Sequence, residues 1–238
     1  MCYYLVMIDL AFSPEWFFGK DVVIDLFSVL TLFLLTYFSL KYYKLGSSRK
    51  YLYLCISFFV IGVSFVLKIL SNIAISHYTV SEAPHDVLIN STLGLIPSYW
   101  AIAWILLLLY RVLMLVGLYG LYSTYSDEPE KSQIVFTIFL LVIAAYFTRF
   151  SYFIFHLVAL VLLGFITWRY LMNYKRTKLS TAKLLVYGFA LITISQIFFV
   201  FTGLNPVLYV IGEIIQLLGF VSVLFTLILV LKHGKKKK

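Results

Sequence analysis

The sequence predicts an all-α, polytopic membrane protein: one seven-transmembrane-helix bundle, with its N-terminus outside and its C-terminus cytoplasmic. Three observations predict it. The first is composition. The chain is 63% hydrophobic and 12% charged, with a mean hydropathy of +0.99, whereas soluble domains are about half apolar and about a quarter charged. The second is segmentation. Seven apolar stretches, about 22–42, 51–73, 98–123, 132–148, 150–172, 181–202 and 206–232, lie near the roughly 20 residues that a helix needs to cross hydrocarbon. A membrane barrel would show shorter, alternating segments. The third is the placement of basic residues.

Lys41, Lys44, Arg49 and Lys50 follow span 1, and Lys131 precedes span 4. Arg169, Lys175, Arg176, Lys178 and Lys183 lie at the junction of spans 5 and 6. Lys232 and Lys235, Lys236, Lys237 and Lys238 close the chain. These are fifteen of the 19 Lys and Arg residues, and alternating spans put all of them on one face. Cytoplasmic loops are enriched in Lys and Arg, so that face is the cytoplasmic one. Asp127, Glu128 and Glu130 share it, but acidic residues contribute little to orientation. The formal charge of +9 therefore reports topology, and no nucleic-acid partner is expected. The basic tail is expected to meet anionic lipid headgroups. The cell membrane is the expected location, or the endoplasmic reticulum if the source is eukaryotic, where a terminal lysine run resembles a retrieval signal.

Each element follows in order. Residues 1–20 read as an interfacial segment rich in Tyr, Trp and Phe, not as a signal peptide, because the segment lacks a basic start and acids interrupt it. Ser13-Pro14-Glu15 reads as a helix cap followed by proline. Span 1 enters from outside and sets Asp25, Ser28, Thr36 and Ser39 on one face. Span 2 returns with Ser57, Ser64 and Ser71 seven residues apart, and Lys68 one turn after Ser64. Residues 74–97 form an outer loop holding His77, Glu82, His85 and Asp86, whose spacing fits no metal-ligand pattern. Asn90-Ser91-Thr92 in that loop is a glycosylation sequon. Span 3 carries Arg111 near its middle. Span 5 offers Tyr152, His156 and Ala159 on one face, and span 6 offers Thr193 and Gln196. Span 7 starts after Asn205-Pro206, which places Glu213 about 12 Å along its axis and Gln216 one turn deeper. Residues 233–238 are a basic cytoplasmic tail. Residues 1–238 thus read as a single transmembrane domain.

Charges are costly in a bilayer and turn toward the bundle interior. Asp25, Lys68, Arg111, His156, Gln196, Glu213 and Gln216 are therefore the candidate intramembrane site. Lys68 and Glu213 arrive at similar depth from opposite directions. Burial demands pairing, so Glu213 is expected on Lys68 or Arg111, and Asp25 on Lys68 or Lys20. The alternative use of such residues is to hold helices together, which is the ordinary role of the Ser and Thr stripes. Gly117, Gly120, Gly212 and Gly219 read as close helix contacts. Cys2 lies outside and Cys55 near the inner end of span 2, too far apart for a disulfide.

Known motifs exclude more than they identify. Asn205-Pro206-Val207-Leu208-Tyr209 matches the NPxxY pattern of G-protein-coupled receptors, but at the outer start of span 7 rather than its inner end. No Asp-Arg-Tyr triplet follows span 3. A retinal pigment needs a lysine in mid-span 7, and the first lysine there is Lys232. Sugar transporters of the PQ-loop type share a three-plus-one-plus-three helix layout, but no Pro-Gln dipeptide occurs. Laying span 3 over span 7 pairs Gly117 with Gly219, Leu115 with Leu217 and Arg111 with Glu213. That allows an internal repeat without establishing one.

Two functions compete. A sensor would hold a small polar or amphipathic molecule in an outward-facing pocket and pass the signal to a cytoplasmic partner protein. A transporter or channel for a small solute, ion or proton would use Glu213, Arg111 and Lys68 as a midplane site or relay. The polar set favours the outer half, which favours the sensor. No cofactor or metal is expected. An intramembrane enzyme is a third reading, but no nucleophile or metal set accompanies His156 or Glu213.

Overall fold

The structure is a computed structural model that describes residues 14–17, 19–46, 49–80, 95–124, 131–147 and 152–234. Most of the outer loop, most of the N-terminal segment including Cys2, and Lys235 to Lys238 lie outside the described residues. Among those described, seven α-helices follow one another: α1 (Lys20–Gly46), α2 (Arg49–Val80), α3 (Leu95–Ser123), α4 (Lys131–Phe147), α5 (Tyr152–Thr177), α6 (Ser180–Val200) and α7 (Val207–Gly234). Pro14 starts no full helix. It accepts a bond from the Phe17 N–H at 2.8 Å, closing a single 3-10 turn over Glu15–Phe17. Helix α2 runs past the expected span end and reaches Val80.

Among the described residues six helices are long and apolar enough to cross a membrane: α1, α2, α3, α5, α6 and α7. Helix α4 has 17 residues. At 1.5 Å per residue it measures about 26 Å, slightly under the roughly 30 Å hydrocarbon core. The chain is therefore a helical membrane protein. The outward faces agree, because α1 turns Leu26, Phe27 and Leu30 outward, each more than half exposed, and α7 does the same with Leu218 and Phe225. Such all-round apolar helices belong in lipid.

Side-chain contacts set the direction of each helix. Within the α1–α2 hairpin, Asp25 meets Lys68 at one end and Tyr42 stacks on Tyr51 at the other, so the pair is antiparallel. Helices α2 and α3 are antiparallel through Ser71 on Ala103 and Phe65 on Tyr110. The α5–α6 pair is antiparallel through His156 on Gln196 and Tyr170 on Phe189. Helices α3 and α5 run the same way: Tyr110 meets Phe155, and twelve residues later Tyr122 meets Phe165. Helices α1 and α7 also run parallel, because Asp25 and Glu213 share Lys68 while Tyr42 Oη donates to Leu227 O at 3.4 Å. The helices close a ring in the order α1, α2, α3, α5, α6, α7, with α7 returning to α1. Helix α4 stands outside the ring against α3 and α5.

Small residues set the closeness of two hairpins. A Cβ on Gly117 would lie 2.5 Å from Ile61 Cγ1, and one on Gly219 would lie 2.5 Å from Ile192 Cγ1. The main apolar cluster includes Leu32, Leu35, Phe58, Ile61, Leu118 and Ile166, and a smaller one joins Phe17, Phe199, Tyr209 and Val210.

Candidate functional site

The polar layer is built on α1, α2, α3, α5, α6 and α7. Its centre is Lys68 on α2. The ammonium Nζ lies 2.9 Å from Asp25 Oδ1 of α1 and 2.5 Å from Glu213 Oε1 of α7. Asp25 is 0% exposed, Glu213 2% and Lys68 8%. The two pairings left open by depth alone thus resolve onto one cation. Lys20, the other candidate for Asp25, stands over the Trp16 ring instead. Lys68 also lies 5.6 Å from the Phe65 ring centroid and 5.8 Å from that of Tyr209. Aromatic faces carry negative potential and favour a desolvated ammonium. A charge at this depth is tolerated because each of its near neighbours opposes it.

The sequence explains why these side chains converge. Asp25, Ser28, Leu32, Leu35 and Ser39 recur at three- and four-residue steps on α1, and all are buried. Ser57, Ser64, Lys68 and Ser71 form the buried stripe of α2. Ser64 donates to Ile61 O at 2.7 Å within its own helix, so its hydroxyl needs no distant partner. Ser71 reaches across to Ala103 O at 3.1 Å.

A second polar group sits on α5 and α6. His156 Nδ1–H donates to Gln196 Oε1 at 2.9 Å, since a carbonyl oxygen can only accept. The imidazole is packed between Phe155 and Phe199, each with its centroid 4.8 Å away. Gln196 Nε2 donates to Ser195 Oγ at 3.3 Å. Arg111 of α3 is buried, and its guanidinium stands 6.0 Å from the Phe155 ring centroid. Gln216 is buried one turn beyond Glu213 on α7. The layer therefore has two groups of contacts: Asp25, Lys68 and Glu213 in one, and His156, Gln196 and Arg111 around Phe155 and Phe199 in the other.

Sequence reasoning missed Asp21. It is 3% exposed and accepts the Val22 N–H at 2.9 Å. The signal that finds it is spacing, because Asp21 precedes Asp25 by one helical turn and shares its face. Among the described residues, Asp25 Oδ2 is buried without a hydrogen-bond partner. Also among them, no cluster of three or more His, Cys, Asp or Glu side chains is arranged to hold a metal ion. The chemistry on hand is charge pairing and hydrogen bonding. Comparison with known protein families, with curated proteins and with solved structures finds no match for this chain.

Proposed function

We propose that the chain is a seven-span membrane sensor of the cell surface, and that a small polar or amphipathic molecule entering from the outer end is captured at Asp25, Lys68, His156, Gln196 and Glu213. Seven crossings are supported by helix direction. With α4 outside the membrane, α3 and α5 would have to run in opposite directions, and so would α1 and α7. Both pairs run parallel. The orientation rests on Lys41, Lys44, Arg49, Lys50, Lys175, Arg176, Lys178 and Lys183, which these directions gather at one end of the bundle.

One observation carries the functional reading: among the described residues, Lys68 ties α7 to the α1–α2 hairpin through buried ion pairs in a single layer. Toward the basic end Leu35, Ile61, Leu118, Leu163 and Ile166 are all at most 2% exposed, and the buried polar side chains among the described residues are the hydroxyls of Ser39, Ser57, Thr124 and Thr226, with no charged or amide group among them. A transport path needs polar lining on both sides of its site, whereas a receptor needs it on one. A ligand carrying a cationic or hydrogen-bonding group competes with Lys68 for the two carboxylates. That competition frees α7 from α1 and α2, and the shift reaches the basic loops, where a partner protein reads it.

The second reading, a solute, ion or proton transporter using Glu213, Arg111 and Lys68, draws on the triad's position at the α1–α7 seam. Two assays separate the readings. Purified protein in micelles is screened by thermal unfolding against primary amines, amino acids and short acyl amines. The sensor reading expects a stabilising compound whose effect Glu213→Gln abolishes. Uptake of protons or of those same compounds into proteoliposomes, lost on Glu213→Gln, overturns it.

A further inference from the structure

The two halves of the ring repeat each other at side-chain resolution. The link from Gly46 to Arg49 has the same length as that from Thr177 to Ser180, so one constant offset lays α1–α2 on α5–α6. At that offset Phe58, Ile61 and Ser64 fall on Phe189, Ile192 and Ser195, with identical residues at all three places. Ser64 Oγ donates to Ile61 O at 2.7 Å, and Ser195 Oγ donates to Ile192 O at 2.7 Å. Leu32 and Leu35 fall on Leu163 and Ile166, each at most 1% exposed.

The third helices follow in the same register. Gly117 of α3 lies against Ile61 Cγ1 and Ser57 O, where a Cβ would sit at 2.5 and 3.2 Å. Gly219 of α7 lies against Ile192 Cγ1 and Gly188 O, where a Cβ would sit at 2.5 and 3.0 Å. Ser57 and Gly188 are themselves equivalent at the offset of the hairpins. Any helix hairpin has some small-residue contact. A shared register across three helices, down to the same neighbouring atoms, is a much stronger condition. The seams meet it as well, because α1 packs on α7 and α3 packs on α5. The first helix of each half thus meets the third helix of the other, which is what a two-fold relation requires. All four of these helices are parallel, so the axis runs along them.

We infer that the ring is two copies of one three-helix unit, α1–α3 and α5–α7, joined by α4 and related by a two-fold axis parallel to the helices, and that the Asp25–Lys68–Glu213 triad is one of two equivalent stations, the second being His156–Phe199–Arg111. Asp25 maps to His156 and Lys68 to Phe199 by the hairpin offset. Glu213 maps to Arg111 by the glycine register. The contacts agree, because Phe199 packs on His156 at 4.8 Å where Lys68 packs on Asp25. The second station repeats the contact of its first two members and inverts the chemistry: a phenyl ring takes the place of the ammonium, and an imidazole and a guanidinium take the places of the carboxylates. The formal charges of Asp25, Glu213, Lys68 and Arg111 cancel across the two stations, which neither station achieves alone. The asymmetry places charge pairing on the α1–α7 seam and aromatic packing on the α3–α5 seam.

Exchange of the stations tests this without any ligand. Phe199→Lys alone buries an unpaired ammonium and lowers the thermal midpoint by roughly 10 °C. Adding His156→Asp and Arg111→Glu rebuilds a triad on the second seam and recovers at least half of that loss. Reciprocally, Lys68→Phe alone strands two carboxylates, and adding Asp25→His and Glu213→Arg recovers at least half. Folded yield by size exclusion gives a second readout for any variant too unstable to melt. Recovery in either triple variant supports the two-fold relation. If neither triple improves on its single variant in midpoint or yield, the stations are not equivalent and the inference is overturned.

Discussion

Lys68 is the residue on which the interior turns. It is the ion-pair partner of two carboxylates that are at most 2% exposed. Removing one partner of a buried ion pair costs about 3–5 kcal/mol, whereas replacing the whole set by neutral side chains of similar volume costs little. Lys68→Met should therefore destabilise the protein by about that amount, and the triple variant Asp25→Asn, Lys68→Met, Glu213→Gln should recover most of it. Thermal unfolding in detergent micelles measures both; a triple variant as unstable as the single one would mean that the ammonium acts through other groups. The His156–Gln196 bond makes a smaller prediction. Gln196→Leu strands the Nδ1–H donor and costs about 1–3 kcal/mol. In a double-mutant cycle with His156→Phe the two losses should fall well short of adding. Depth along a helix was legible in the sequence, and that is why Lys68, Glu213 and Asp25 stood out together. Which partner each one takes depends on how the helices are turned toward one another, which hydropathy does not encode. Asp21 escaped for a related reason: it lies in the first turn of α1, where a span boundary read from hydropathy cannot separate buried from solvated.

At the scale of elements, six helices were legible because lipid demands long apolar runs, and these survive any choice of packing partner. The glycines at 117 and 219 read as close contacts, and they are: α3 lies on α2, and α7 on α6, with no room for a methyl group. Gly219→Ala sets two effects against each other. Helix propensity gains about 1 kcal/mol, while overpacking against Ile192 costs about 1–3 kcal/mol. The contact of 2.5 Å puts the cost toward the upper end, so the net effect is destabilising. Gly117→Ala should behave alike against Ile61. Ile192→Ala should relieve the strain of Gly219→Ala but not that of Gly117→Ala, and unfolding midpoints of the three single and two double variants decide it. The repeat itself was barely legible. Lipid-facing positions accept any large apolar residue, so an identity there, such as Leu26 with Leu157, carries little weight, whereas Phe58, Ile61, Ser64 and Gly117 match their counterparts where packing is tight.

At the scale of the whole molecule, the length of α4 and the directions of its neighbours bear on the topology in opposite ways. Counted by length, α4 falls just short of a span, which taken alone favours six crossings. Counted by direction, α3 and α5 are parallel, and two parallel spans joined by one connection require a crossing between them. The proposed seven-span reading gives the directional argument more weight, because a helix of about 26 Å needs only slight bilayer thinning, at fractions of a kcal/mol per ångström. Antiparallel packing of α3 on α5 would mean a different bundle altogether. Cysteine labelling distinguishes the two, in a background with Cys2→Ser and Cys55→Ser. Phe147→Cys at the end of α4 and Leu204→Cys between α6 and α7 should react with a membrane-impermeant maleimide in intact cells. Lys44→Cys and Leu179→Cys should react only after permeabilisation. A six-span chain with the same N-terminus would reverse everything beyond α3: Phe147→Cys and Leu204→Cys would become protected and Leu179→Cys exposed, while Lys44→Cys stayed inside. That result would also place the α1–α2 and α5–α6 basic connections on opposite faces, against the positive-inside bias. Lys68 and His156 would then approach from different sides of the membrane, and the single outward-facing layer on which the sensor reading depends would be lost.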